Sequence, residues 1–180
     1  MDESDSSASV IELPIETENI YVKKAEITTK ITTEVVVEKP FILKNGVYTL
    51  DFTKPPSVSS NWKIHEHKGK VLHYNPAKTA LFSLGDLGLK DGATIADCIK
   101  RLKKSKQGSM VANTADFISE VKPELPNGFS GTYVYFLDTI FKADSLLVRF
   151  MYFVDIKNTW VIKHDPITKK LGSFSRIACY

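Results

Sequence analysis

From Thr132 to Lys163 the chain reads TYVYFLDTIFKADSLLVRFMYFVDIKNTWVIK, its densest run of apolar and aromatic side chains. Tyr133 to Leu137 with Ile140 makes one strand-like run and Leu146 to Val154 a second, in residue types that suit a pleated, half-buried surface. Lys142, Ala143, Asp144 and Ser145 leave room only for a hairpin, so the two are predicted antiparallel neighbours. After Lys157 and Asn158, Thr159 to Lys163 returns as a third strand carrying Trp160 and Ile162. Leu146, Val148, Phe150, Tyr152 and Val154 share one face of the middle strand, and Leu147, Arg149, Met151 and Phe153 the other. Both faces are mostly apolar, which predicts a central strand in which Arg149 must reach an acid, a carbonyl or solvent. Leu171 to Ala178 reads as a weaker edge strand.

Upstream, Ala25, Ile27, Ile31, Val35 and Val37 alternate with Glu26, Thr28, Lys30, Thr32 and Glu34, the pattern of a long strand with one wet face. Lys44-Asn45-Gly46 between Phe41–Leu43 and Val47–Phe52 predicts a hairpin. Trp62–His67 and Val71–Tyr74 read as another hairpin around Lys68-Gly69-Lys70. With a three-residue loop, His65, His67 and His73 share a face; with a two-residue loop His73 turns away. Pro76–Gly92 reads as a loop with one helical turn. In Ala93–Lys106, Ile95, Ile99 and Leu102 recur at helical spacing beside Cys98, with Asp91 or Thr94 to cap the start and Gly108 to stop the end. A shorter helix fits Ala115–Val121 after Thr114, broken by Pro123, and Pro126-Asn127-Gly128 turns the chain into the sheet.

Together these elements predict an α+β fold: a mostly antiparallel sheet of about six to eight strands with two helices packed on one side. Length supports one domain with a core of its own, 180 residues in all. Charge divides it. Residues 1–20 hold six acids (Asp2, Glu3, Asp5, Glu12, Glu16, Glu18) and no base, so with +3 overall the remainder carries +9. Residues 1–19 are predicted to be a disordered acidic tail and 20–180 the domain. The apolar island Val10, Ile11, Leu13 and Ile15 within that tail reads either as a segment that folds onto a partner or as a first edge strand or turn. Two cysteines, Cys98 and Cys179, make no disulfide framework. With no secretory leader pattern and no apolar run of membrane-spanning length, the expectation is an intracellular protein, cytoplasmic or nuclear.

The densest charge cluster is Lys100, Arg101, Lys103, Lys104 and Lys106 at the end of the first helix. The helix dipole accounts for one or two bases there, not five. The cluster suits a nucleic acid or ribonucleoprotein, an anionic membrane surface or a nuclear import receptor; its bland alternative is a solvated helix face. His65, His67 and His73 are weak candidates for a metal, because a structural zinc site wants four ligands and neither cysteine is near in sequence. No cofactor motif is present, nor G-x-S-x-G, H-E-x-x-H or C-x-x-C. Cys98 reads as packing. Asp138, mid-strand, needs a partner, for which Arg149 across the hairpin is the candidate.

The order of elements resembles the matrix proteins of rhabdoviruses, the short plant-virus type above all. A Lys/Thr-rich strand running into Pro40-Phe41, a basic helix and an aromatic sheet led by Gly131-Thr132 carry the resemblance, which spans most of the chain. The tail departs from it, being acidic, and Pro55-Pro56 is followed by Ser57-Val58 without the Tyr of a PPxY motif. The resemblance implies a non-enzymatic assembly protein that self-associates and contacts a nucleocapsid and a membrane surface. Val10–Ile15 would be the self-association segment and Lys100–Lys106 the anionic contact. Two rival expectations are a ligand-binding module with an aromatic pocket at Tyr133, Tyr135 and Trp160, and an enzyme using Asp138 or the histidines.

Overall fold

The computed structural model describes residues 46–180 and the backbone of 41–43, within one compact unit, Lys39–Tyr180. The acidic tail, the Val10–Ile15 island and the alternating segment 21–37 lie outside the described residues. Among the described residues nine strands and two α-helices follow in order: β1 (Phe41–Leu43), β2 (Val47–Asp51), β3 (Lys63–His67), β4 (Val71–Tyr74), β5 (Ala80–Phe82), α1 (Ile95–Ser105), α2 (Asn113–Val121), β6 (Tyr133–Lys142), β7 (Leu146–Val154), β8 (Thr159–Pro166) and β9 (Ser175–Cys179). The class is α+β, with a mostly antiparallel sheet.

The predicted β6–β7–β8 meander is present in register, Tyr135 opposite Phe150 and Phe150 opposite Lys163. β7 lies between its neighbours as the apolar character of both its faces requires. β1 and β2 form the predicted antiparallel pair, Leu43 opposite Val47. Helix α1 begins at a capping box, Thr94 Oγ1 accepting from the Asp97 amide at 3.2 Å and Asp97 Oδ2 accepting from the Thr94 amide at 2.9 Å. Such a cap stabilises a helix by about 1 kcal/mol. Its end is made by Lys106, left-handed at φ 57°, two residues before Gly108.

Three expectations are corrected. Trp62–Tyr74 is not a hairpin: β3 pairs with β6, Ile64 opposite Phe141, while β4 pairs with β2, Leu50 opposite Leu72. Lys68-Gly69-Lys70 therefore carries the chain from the larger sheet to the smaller. The crossing is tight, because a Cβ at Gly69 would stand 1.6 Å from the Phe52 carbonyl oxygen. Second, β9 is not at an edge: it runs parallel to β6 and antiparallel to β5, between them. Third, the two helices pack on opposite faces. Ile95, Cys98 and Leu102 of α1 join Tyr135, Leu137, Val148 and Phe150 in one core. Ala115, Phe117 and Ile118 of α2 join Val134, Phe136 and Met151 in the other, together with Leu50, Phe52 and Tyr74 of the segments around β2 and β4. Strand alternation dictates this, since Val134 and Phe136 point away from Tyr135 and Leu137.

β6 changes partner halfway along. Tyr133–Tyr135 border β9 and Thr139–Lys142 border β3, and the register against β7 breaks between Phe136 and Ile140. The freed polar groups are taken by the segment before α2: the Ser109 hydroxyl accepts from the Leu137 amide at 3.0 Å, and the Met110 carbonyl from the Asp138 amide at 3.3 Å. A break of this kind bends a strand and re-aims its side chains. Here it turns Asp138 toward the end of α1.

Candidate functional site

The apolar stripe of α1 is buried, which leaves its charged side outward by helical periodicity. The five bases fall into two groups. Arg101 lies back along the helix and donates from Nε to the Leu87 carbonyl at 2.7 Å, and Lys103 reaches Glu66 at 3.5 Å. Lys100, Lys104 and Lys106 are exposed and make no ion pair among the described residues. Alongside runs a small cleft of about 190 Å³, lined by Lys68, Lys103, Lys106 and Asp138. Lys68 bridges Glu66 at 3.2 Å and Asp138 at 3.4 Å. Burial pushes the Asp138 carboxyl up from its ordinary range, partly offset by Lys68.

Arg149 is not the partner of Asp138. It is buried on the opposite side of β7, where one guanidinium nitrogen pairs with Asp116 of α2 and Nε donates to His164 Nε2 at 3.2 Å. Of the partners expected for it, an acid, a carbonyl or solvent, it takes an acid from another element of the chain. Burial raises the Asp116 carboxyl above its usual range despite Arg149. His164, half-buried and facing the same cation, is held down at about 4 by its partial burial and by Arg149.

The three candidate metal ligands are separated. His65 is exposed on β3. His67 uses both ring nitrogens, Nε2–H donating to the Phe52 carbonyl at 2.8 Å and Nδ1 hydrogen-bonding the Thr139 hydroxyl at 2.9 Å. His73, on the smaller sheet, bonds the Thr49 hydroxyl at 3.2 Å. No group of three His, Cys, Asp or Glu suited to a metal occurs among the described residues. Cys98 is fully buried and its thiol is pushed up to about 11 by that burial, which suits packing.

Beyond the N-terminal end of α1 the same sheet face is open. Its floor is a ladder of rings: Tyr135 stacks on Phe150 with centroids 5.1 Å apart, Phe150 on Tyr152 at 6.2 Å, and Tyr133 leans on Tyr152 at 5.5 Å. Phe174, on the turn before β9, closes one wall. Two adjoining clefts of about 390 and 330 Å³ share Tyr133 and Phe174. Tyr135 donates its hydroxyl to Asp165 at 2.9 Å, and Lys169 lies 3.8 Å from the same carboxylate. The expected pocket trio is thus split. Tyr133 and Tyr135 line the cleft, whereas Trp160 packs against Phe129 and Phe153 on the other face.

Sequence reasoning missed Phe174 and the lysines around it. The reading of Leu171 to Ala178 as one edge strand hid it, since β9 begins only at Ser175; the available signal was the large aromatic in Gly172-Ser173-Phe174-Ser175, a turn-like run. Among the described residues no helix is long and apolar enough to cross a membrane. Comparison with protein families, with curated proteins and with solved structures gives no match for this chain.

Proposed function

We propose that the chain is a non-enzymatic interaction protein whose helix α1 docks on a phosphate polymer, single-stranded RNA being the form favoured. The observation that carries this reading is the state of Lys100, Lys104 and Lys106. They stand exposed without ion pairs among the described residues, on a helix fixed from beneath by Ile95, Cys98 and Leu102. Each unpaired lysine that meets a phosphate releases a counterion. Self-association and contact with a nucleocapsid, as in a matrix-like assembly protein, belong to the same reading. Its self-association segment, Val10–Ile15, falls outside the described residues.

The test is binding of the full chain to single-stranded RNA and to anionic liposomes across a salt series, beside a Lys100→Gln, Lys104→Gln, Lys106→Gln variant. Removing three phosphate-binding charges should reduce the slope of log affinity against log salt by about 2. An unchanged slope, or no RNA binding at low salt, refutes the reading. Tighter binding to liposomes transfers the contact to a membrane surface; binding to neither leaves an import receptor or a solvated face. A second reading, a ligand-binding module, is favoured by the aromatic cleft at Tyr133 and Tyr135.

A further inference from the structure

We propose that the open half of the α1 face is a stacking platform for the unpaired bases of a single-stranded nucleic acid, a site separate from the α1 lysines. It rests on the reading that the partner is a single-stranded phosphate polymer, and adds where its unpaired bases are seated.

Large rings are the first argument. Tyr133 is 47 % exposed and Phe174 68 %, and Tyr152 beside them is half-buried. Side chains of this size normally bury their area. These instead present ring surface over a floor of Phe150 and Tyr135, both buried. The rings sit on paired strands or against them, so a stacked base would order little that is not already ordered.

The rim supplies the second argument. Lys163 Nζ lies 5.6 Å from the centroid of Tyr152, and Lys169 and Lys170 line the larger cleft. Asp165 is the opposing charge, and Lys169 and the Tyr135 hydroxyl already engage it. Lys163 and Lys170 make no ion pair among the described residues. An apolar floor with cations along its edge complements a nucleotide, whose base offers a π-face and whose backbone offers charge; such stacking is tolerant of sequence. A duplex cannot use the floor, because its bases already stack on each other.

The two clefts adjoin through Tyr133 and Phe174, which gives successive bases adjoining places. Lys100 lies at the middle of α1, and Lys104 and Lys106 at the far end of this helix about 16 Å long. A strand seated on the rings can therefore continue onto them along one side of the molecule.

The experiment compares an oligoadenylate of about a dozen nucleotides, a duplex of equal length and inorganic polyphosphate as ligands of the full chain. The expected result is preference for the oligoadenylate. Tyr133→Ala and Phe174→Ala should each weaken its binding about tenfold, leaving polyphosphate binding unchanged, while Tyr133→Phe keeps the ring and the affinity. Phe174→Ala, at the more exposed position, keeps the test valid if loss of Tyr133 lowers the thermal midpoint. Unchanged affinity in the alanine variants, equal loss toward both ligands, or no binding of the oligoadenylate at low salt overturns the proposal. Failure of the α1 reading shows separately, as polyphosphate binding that does not respond to Lys100→Gln, Lys104→Gln, Lys106→Gln.

Discussion

On one face of the six-stranded sheet Val134, Phe136 and Met151 lie sealed beneath α2 and the smaller sheet; on the other, Tyr133 and Tyr152, one residue away on the same strands, lie past the end of α1 and meet solvent. Residue type does not separate them, since aromatic residues that strands favour occur in both sets. Coverage does. Helix α1 covers Leu137, Ile140 and Val148 and stops short of the rings. The covered parts of both faces carry the two cores, and the uncovered part of the second is where a partner has somewhere to go.

That contrast can be broken most forcefully at Phe136. Phe136→Ala, at a fully buried position, should cost about 3–5 kcal/mol in a denaturant titration, whereas Tyr133→Ala should cost about 1 kcal/mol or less. Equal costs would mean that the open face is as much core as the other.

A smaller effect is expected from Asp116→Asn. It strips the buried Arg149 of its carboxylate, a change worth about 3–5 kcal/mol where both partners are buried. The Asp116 side chain is 47 % exposed, so water can stand in for part of the ion pair and about 1–3 kcal/mol is expected, read from the same titration.

Next comes acid sensitivity confined to the closed face. His164 ordinarily titrates near 6.5 and is held at about 4 in the fold. Between these values the unfolded chain binds the extra proton, so the stability contributed is present above about 6.5 and is lost as pH falls toward about 4. The thermal midpoint should decline over that window, and His164→Gln should remove this component of the decline. The raised carboxyls of Asp116 and Asp138 act with the opposite sign just above their ordinary value, stability falling as pH rises there.

The smallest effect on stability belongs to the α1 lysines. Replacing Lys100 and Lys104 by Gln should move stability by no more than about 0.5 kcal/mol while flattening the salt dependence of RNA binding. A larger fall in stability would show that these side chains support the fold.

How much of this is legible in the chain depends on whether the signal is local. The β6–β7–β8 meander, the Thr94 cap and the buried stripe of α1 follow from short-range patterns, and each is found where the pattern places it. Partners chosen across long separations do not. Lys68-Gly69-Lys70 has the composition of a turn, yet its glycine serves the close approach to Phe52 and the strands it joins belong to different sheets. Arg149 announced its need of a polar partner, but a period-two pattern cannot say that an acid supplies it from a helix packed against that face. The basic cluster was visible as five charges; that Arg101 and Lys103 have partners within the chain required Leu87 and Glu66 to be placed. The aromatic platform was hidden for a related reason, because alternation assigns a ring to a face without saying what covers it.

The position of β9 bears on the order in which the molecule can be made. It follows every other described element along the chain yet lies between β5 and β6, against strands laid down long before it. Until Ser175–Cys179 emerges during synthesis, the facing edges of β5 and β6 lack their ladder partner, and the rings of Tyr133 and Phe136 are carried on an incomplete sheet. Closing a loop of that length precedes any reward from pairing. The nascent chain is thus expected to depend on shielding of those edges until β9 slots in.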